Sequence, residues 1–217
     1  MNRGRLFAWT AFVAAFAALA YAVNLTGSVS SNHNVVYKYS TFAGGTVEYA
    51  IWLGIVLAIG AGHRDLFALR RPVSIGGAAG LAIVVLVGVF IVEVLVDLLP
   101  IENPGKEQGL TPTHWEPAHA GAFAANLVLF AAIAPVVEEL TFRGLGQSLL
   151  AFLGQWPSIV LVGIAFGLAH GLVEALLVLV PFGMALAWLR ARTDSVFPGM
   201  VVHGLFNALA LVAAVLG

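Results

Sequence analysis

The sequence predicts an all-α fold, a polytopic bundle of about seven transmembrane helices. Hydrophobic residues make up 60% of the 217 positions, charged residues only 10%, and the mean hydropathy is +0.97. A soluble domain carries about 25% charged residues, so this composition cannot cover a surface that faces water. The formal net charge of −1 argues against nucleic-acid binding. The lack of cysteine excludes thiol catalysis, disulfides and thiolate metal sites.

Apolar segments are candidates for membrane spans, which require about 20 mostly apolar residues. In chain order they cover residues 6–23, 43–62, 73–100, 119–150, 157–171, 173–190 and 196–216. The fourth segment is too long for one straight span, and we expect Pro135 and Gly144 to bend it. A very short turn near Gly171 separates the fifth segment from the sixth. Polar loops connect the first four segments at residues 24–42, 63–72 and 101–118.

Basic residues predict the orientation of the chain in the membrane. With a cytoplasmic N-terminus, most arginines lie on the cytoplasmic side: Arg3, Arg5, Arg64, Arg70, Arg71, Arg190 and Arg192. Lys38 and Lys106 then lie outside, as the positive-inside rule favours. The first segment also resembles a signal peptide with a cleavage site at residues 20–22. Its apolar run is long enough for a span, so we favour a retained membrane helix.

Polar residues within the apolar segments form three clusters. They are Glu138-Glu139-Leu-Thr-Phe-Arg143, Phe166-Gly-Leu-Ala-His170 and His203-Gly-Leu-Phe-Asn207. One charge at the centre of a bilayer costs about 2.5–3.5 kcal/mol. Such residues therefore pair with one another, line a water-filled cavity or take part in chemistry.

Helix geometry separates the two glutamates of the first cluster. Glu139 and Arg143 are four residues apart and share a helix face, so they can form an ion pair. Glu138 points about 100° away from its neighbour. It is left in apolar surroundings beside a like charge, which suits a group that exchanges protons.

The two histidine clusters provide complementary groups. His203 and Asn207 are four residues apart and can aim two hydrogen-bond donors at one point, where they would stabilise an oxyanion. His170 lies on another helix and could activate a water molecule together with Glu138 if folding brings them together. Structural alternatives exist for His170 and Asn207, since polar side chains also join helices through hydrogen bonds, and Phe166 suits packing.

Other patterns limit the chemistry and the packing. The chain contains no His-Glu-x-x-His zinc motif, no Gly-x-Ser-Gly motif, no Gly-x-Gly-Asp motif and no phosphate-binding glycine-rich loop with a lysine. Gly163, Gly167 and Gly171 recur every four residues, which predicts a face that packs closely against another helix.

The three clusters, in this order, resemble the CAAX protease and bacteriocin-processing family (CPBP, also called ABI). That family is marked by Glu-Glu-x-x-x-Arg, Phe-x-x-x-His and His-x-x-x-Asn on successive membrane helices, which stand here at 138–143, 166–170 and 203–207. The resemblance covers about residues 119–217. It divides one membrane domain into N-terminal helices at 1–118, with about three spans, and a CPBP-like catalytic core at 119–217.

The resemblance implies an intramembrane endopeptidase that acts on a membrane-tethered peptide or protein. In such enzymes the first glutamate and first histidine activate water, while the second histidine and the asparagine form the oxyanion site. Carried over, the catalytic residues are Glu138, His170, His203 and Asn207. The supporting residues of the same motifs are Glu139, Arg143 and Phe166. No cofactor is expected. Zinc, which a Glu/His/His set could hold, is less favoured because asparagine is a poor ligand.

Two other functions compete with the protease. A noncatalytic membrane partner or bacteriocin-immunity protein of the same family would need no intact motifs, yet all are present. A proton or ion carrier could use Glu138, Glu139 and His170 as a relay. Transporters typically show repeats in both halves of the chain, and the first half here is nearly free of central charges. We expect the protein to lie in the lipid bilayer of a prokaryotic cell membrane. We expect no nucleic acid among its partners.

Overall fold

The computed structural model describes residues 3–25, 34–99, 112 and 114–216. The described residues are 85% helical and include no β-strand. The helices are α1 (Arg3–Leu25), α2 (Tyr39–Ile59), α3 (Ile75–Asp97), α4 (Pro117–Leu153), α5 (Gln155–Ala169), α6 (Leu176–Thr193) and α7 (Phe197–Leu216). Six of them are long and apolar enough to cross a membrane. The predicted helical bundle is confirmed, although α5, at 15 residues, is shorter than a full span.

Observed helix ends follow the predicted apolar segments closely. Residues 26–33 and 101–111 of two predicted loops lie outside the described residues, and so do Lys106 and Pro100, the last residue of the third predicted segment. The turn between α5 and α6 is short, as predicted, and contains Gly171 with a φ of +68°. A side chain would be strained there, because that backbone conformation favours glycine.

Helix α4 is continuous over 37 residues, or roughly 55 Å. It contains two π-helical stretches, at Leu129–Ile133 and Leu140–Gly146. The first stretch ends just before Pro135, which has no N–H to donate to the preceding turn. π-helical insertions of this kind are frequent at functional sites. The second stretch follows Glu139 and includes Arg143.

The second half of α4 forms the centre of the bundle. Residues 137–147 are all buried, and a helix that is enclosed on every side must be surrounded by other elements. Core side chains from five other helices pack around it, among them Trp9, Trp52, Phe166, Phe182 and Val202. The motif of two glutamates and an arginine is therefore held at the most enclosed part of the fold.

Close packing of α5 against α6 places the second motif beside α4. An added Cβ at Gly167 would lie 2.6 Å from Val180 of α6, and one at Gly163 would collide with Met184. Gly171 instead faces Ala20 of α1, where a Cβ would approach to 2.6 Å. The predicted glycine face therefore serves two neighbouring helices.

The loop between α2 and α3 supports the start of α7. Val196 donates a backbone hydrogen bond to the carbonyl of Ala68 at 3.2 Å. Arg70 forms an ion pair with Asp194, which lies in the turn between α6 and α7. The hydrogen bonds from Arg70 hold the pKa of Asp194 below its usual value, and Asp194 raises the pKa of Arg70. These contacts fix the turn that leads into the helix carrying His203.

Candidate active site

The three sequence motifs meet in the interior of the bundle. Oε2 of Glu138 lies 3.9 Å from Nε2 of His170 and 3.8 Å from Nε2 of His203. The side chains of Glu138 and His203 are 7% and 3% exposed, whereas that of His170 is 24% exposed. The site is thus enclosed by α4 and α7, and its most accessible member is His170 at the end of α5.

The two carboxylate oxygens of Glu138 have different surroundings. Oε1 accepts a hydrogen bond of 2.8 Å from the hydroxyl of Tyr49 on α2. Oε2 is buried and has no hydrogen-bond partner within the described part of the chain. A buried polar atom without a partner is uncommon in folded proteins and calls for an explanation such as catalysis or an ordered water. This oxygen is the one that faces the two imidazole rings.

The ring of His170 is oriented by its own helix. Its Nδ1 lies 2.8 Å from the carbonyl oxygen of Phe166, one turn earlier. A carbonyl only accepts, so we assign the proton to Nδ1. In the neutral ring, Nε2 then carries a lone pair and faces Oε2 of Glu138. The ring of Phe166 also packs edge-on against His170, with centroids 4.7 Å apart, so Phe166 positions this histidine through both its backbone and its side chain.

Glu139 is engaged in a buried ion pair. Nη1 of Arg143 donates to Oε1 of Glu139 at 2.7 Å, and both side chains are fully buried. Arg143 also donates to the carbonyl of Gly183 at 3.0 Å and lies 4.3 Å above the ring of Phe166. An added Cβ at Gly199 of α7 would lie 2.6 Å from Oε2 of Glu139. The neighbouring glutamates therefore occupy different environments, as helix geometry indicated.

His203 and Asn207 of the third motif each contact another part of the protein, which their spacing along the helix did not indicate. Nδ1 of His203 lies 3.2 Å from Oε1 of Glu139. If Nδ1 donates there, Nε2 carries a proton only when the ring is doubly protonated. Nδ2 of Asn207 donates at 2.9 Å to the carbonyl of Phe130, within the π-helical stretch before Pro135. The second N–H of the Asn207 amide remains available for another acceptor. His203 and Asn207 can therefore both donate to one oxyanion only when the ring of His203 is doubly protonated.

Tyr49 is a site residue that sequence analysis missed. It lies in an apolar span, where a single tyrosine usually indicates packing or a position at the membrane surface. No motif connects it to Glu138, which follows 89 positions later in the chain. The one indication in the sequence is the spacing of Tyr49 from Trp52, because residues three apart lie on the same face of a helix.

The donor atoms of Glu138, His170 and His203 are spaced more widely than the ligands of a tetrahedral zinc ion. A tetrahedral zinc ion with bonds of about 2.0–2.1 Å holds its ligand atoms roughly 3.3–3.4 Å apart. Oε2 of Glu138 is 3.9 and 3.8 Å from the two histidine nitrogens. Across residues 3–25, 34–99 and 114–216, no group of three or more histidine, aspartate and glutamate side chains could hold a metal ion. We therefore derive no step through a metal.

The fold and the site together define an integral membrane protein with a carboxylate and two imidazoles inside a helical bundle. Residues 120–209 match the family model described as type II CAAX prenyl endopeptidase Rce1-like. The matched segment contains all three motifs and confirms the resemblance to the CAAX protease family. It supports a CAAX-protease-like endopeptidase in general terms. No curated protein and no solved structure matches the chain.

Proposed function

We propose that this protein is an intramembrane endopeptidase in which Glu138 and His170 activate the attacking water molecule. The observation that carries the proposal is the buried Oε2 of Glu138, which lacks a partner among the described residues and lies 3.9 Å from Nε2 of His170. Both atoms accept hydrogen bonds when the carboxylate is ionised and the imidazole is neutral. A molecule with two donors, such as water, satisfies both.

Simple geometry supports a water molecule in this position. A water oxygen about 2.8 Å from each of two acceptors 3.9 Å apart makes an acceptor–water–acceptor angle of roughly 90°. This angle is close enough to that between the two O–H bonds of water for both bonds to form. The water oxygen attacks the carbonyl carbon of the substrate as one proton moves to Glu138. The same proton then passes to the leaving amine nitrogen as the C–N bond breaks.

The oxyanion that forms on the substrate carbonyl needs donors. In this proposal they are Nε2 of doubly protonated His203 and the remaining N–H of Asn207. Glu139 accepts from Nδ1 of the same histidine at 3.2 Å, and Arg143 balances the charge of Glu139. The ion pair thus supports the ring that stabilises the transition state.

Chain organisation and orientation form part of the same proposal. Residues 119–217 form the catalytic core of one membrane domain, and residues 1–118 contribute three further helices. Arg5 donates to the carbonyls of Ile59 and Ala61, each at 3.0 Å, so the start of α1 and the loop after α2 lie at one end of the bundle. We assign this arginine-rich end to the cytoplasm of a prokaryotic cell.

The substrate is a peptide or protein associated with the membrane. The family description names a prenyl endopeptidase, so a peptide with a prenylated cysteine three residues before its C-terminus is the first substrate to test. His170 is the most exposed of the three facing groups, at 24%. The scissile bond therefore approaches from the side of α5.

A comparison of membrane peptides tests this function even while the natural substrate is unidentified. Cells that produce the wild-type protein are compared with cells that produce Glu138→Gln, and new peptide ends are identified by mass spectrometry. Glu93→Gln serves as the matched control, because Glu93 is a half-buried glutamate of α3 outside the motifs. We expect wild-type and Glu93→Gln membranes to share cleavage products that Glu138→Gln membranes lack.

Identical peptide ends in the wild-type, Glu93→Gln and Glu138→Gln membranes would contradict the proposed protease activity. That result would favour the noncatalytic membrane partner. A pH-sensitive dye inside vesicles that contain the purified protein then tests the carrier, which predicts proton uptake that depends on Glu138.

A further inference from the structure

Helix α2 reaches the candidate active site through Tyr49, although α2 precedes the segment that matches the protease family. The hydroxyl of Tyr49 donates to Oε1 of Glu138 at 2.8 Å. This contact occupies one oxygen of the carboxylate and leaves the other facing His170 and His203. The tyrosine hydroxyl is therefore in direct contact with the group to which we assign water activation.

The ring of Tyr49 is itself held in place. It stacks on Trp52, one turn further along α2, with centroids 5.6 Å apart and an interplanar angle of 13°. Nε1 of Trp52 donates to Oγ1 of Thr141 at 2.9 Å, and Thr141 donates in turn to the carbonyl of Val137. Two polar contacts thus join α2 and α4, and each helix contributes residues that are three positions apart.

We propose that Tyr49 is a positioning residue that fixes the carboxylate of Glu138 for catalysis. The two oxygens of a carboxylate are chemically equivalent, and rotation about the terminal side-chain bond is soft. A hydrogen bond to Oε1 selects the rotation in which Oε2 points at the imidazoles. This inference rests on the proposed function, because it assumes that Glu138 acts on water.

A purely structural role for Tyr49 makes a different prediction. The contact between Trp52 and Thr141 already joins α2 to α4, and Trp52 is 6% exposed. Loss of the Tyr49 hydroxyl should therefore leave the helices together while the carboxylate gains freedom. A positioning role lowers kcat with little change in KM, whereas a structural role lowers the folded fraction and the melting temperature.

Tyr37 provides a control for the loss of a hydrogen-bonded tyrosine hydroxyl. Tyr37 is 4% exposed, and its hydroxyl donates to the carbonyl of His114 at 2.7 Å. It belongs to a separate hydrophobic cluster with Phe123 and Leu211. The substitution Tyr37→Phe therefore removes a hydrogen-bonded tyrosine hydroxyl at a position away from Glu138.

The experiment measures kcat and KM in proteoliposomes on a peptide that the wild-type protein cleaves and Glu138→Gln does not. We expect Tyr49→Phe to lower kcat by about 10- to 100-fold, since small misplacements of a catalytic group can cost this much. KM and melting temperature should stay close to the wild-type values. Tyr37→Phe should retain wild-type kcat. Incorporation of 4-aminophenylalanine at position 49 restores a donor of similar shape and should recover most of the rate.

Several outcomes would overturn the positioning role. Wild-type kcat in Tyr49→Phe would show that the carboxylate needs no such support. An equal loss in Tyr37→Phe, or a reduced folded fraction in Tyr49→Phe, would assign the tyrosine to packing. These failures are distinct from failure of the proposed function, which would appear as wild-type turnover in Glu138→Gln.

Discussion

Replacing Glu139 by glutamine removes the charge that balances Arg143 inside the bundle. The two side chains are fully buried and joined by a hydrogen bond of 2.7 Å. Removal of one partner from a buried ion pair typically costs about 3–5 kcal/mol, because the other charge stays buried without compensation. Arg143 keeps its contacts with the carbonyl of Gly183 and the ring of Phe166. We therefore expect Glu139→Gln to lose about 3 kcal/mol, at the low end of that range.

This loss converts into a measurable shift in melting temperature. A chain of this size loses about 2–4 °C for each kcal/mol, so Glu139→Gln should melt about 6–12 °C below the wild-type protein. The five tryptophans of the chain report unfolding in detergent through their fluorescence. Trp9 and Trp52 are especially suitable, because both hydrogen-bond to Thr141, close to the ion pair in sequence.

The neighbouring glutamate supplies the control. In Glu138→Gln, the amide oxygen can still accept from Tyr49, and Arg143 keeps its ion pair with Glu139. We expect a change of about 1 kcal/mol or less, the net value of a typical hydrogen bond. Equal loss of melting temperature in Glu138→Gln and Glu139→Gln would refute the division of roles between the two residues.

Three further predictions concern turnover, metal dependence and pH. His203→Ala and Asn207→Ala should each lower kcat by about 10²–10³-fold with little change in substrate affinity, since oxyanion donors act in the transition state; a large rise in the dissociation constant at unchanged kcat would make them substrate-docking groups. Elemental analysis of active, detergent-purified protein should find no stoichiometric zinc, and chelators should leave activity intact; loss of activity that zinc restores would contradict this expectation. The difference in melting temperature between wild-type and Asp194→Asn should be present above about pH 4, the ordinary value for an aspartate, and should vanish as the pH falls through the lowered pKa of Asp194. The effect should be at most about 1 kcal/mol, because Arg70 and Asp194 are 45% and 56% exposed; a difference that is unchanged at about pH 2 would exclude the ion pair as its source.

The helices were predictable from sequence because a membrane span needs a run of about 20 mostly apolar residues, which the sequence shows directly. The fourth segment was predicted at 119–150 and is observed at Pro117–Leu153. Its two π-helical stretches were not predictable: the sequence indicated bends at Pro135 and Gly144, and hydropathy carries no signal for a π-helical turn. Proline removes a hydrogen-bond donor, but the surrounding helices decide how the freed carbonyls are satisfied.

The spacing of residues along one helix predicted part of the candidate site. The pair of Glu139 and Arg143 follows from a separation of four residues on one helix. Three other contacts of the site join different helices. They are Tyr49 with Glu138, His203 with Glu139, and Asn207 with the carbonyl of Phe130. Such contacts depend on the rotation and depth of each helix in the bundle, which the spacing of residues along one helix does not determine.

The turnover of purified Glu138→Gln protein tests the central claim most directly. Glutamine keeps the shape of the side chain and removes its capacity to accept the proton of water. The measurement is kcat in proteoliposomes on a peptide that the wild-type protein cleaves, with the folded fraction determined on the same sample. Loss of turnover to the background rate in folded Glu138→Gln protein is the predicted result; wild-type turnover in that protein would contradict the assignment of Glu138 as the base.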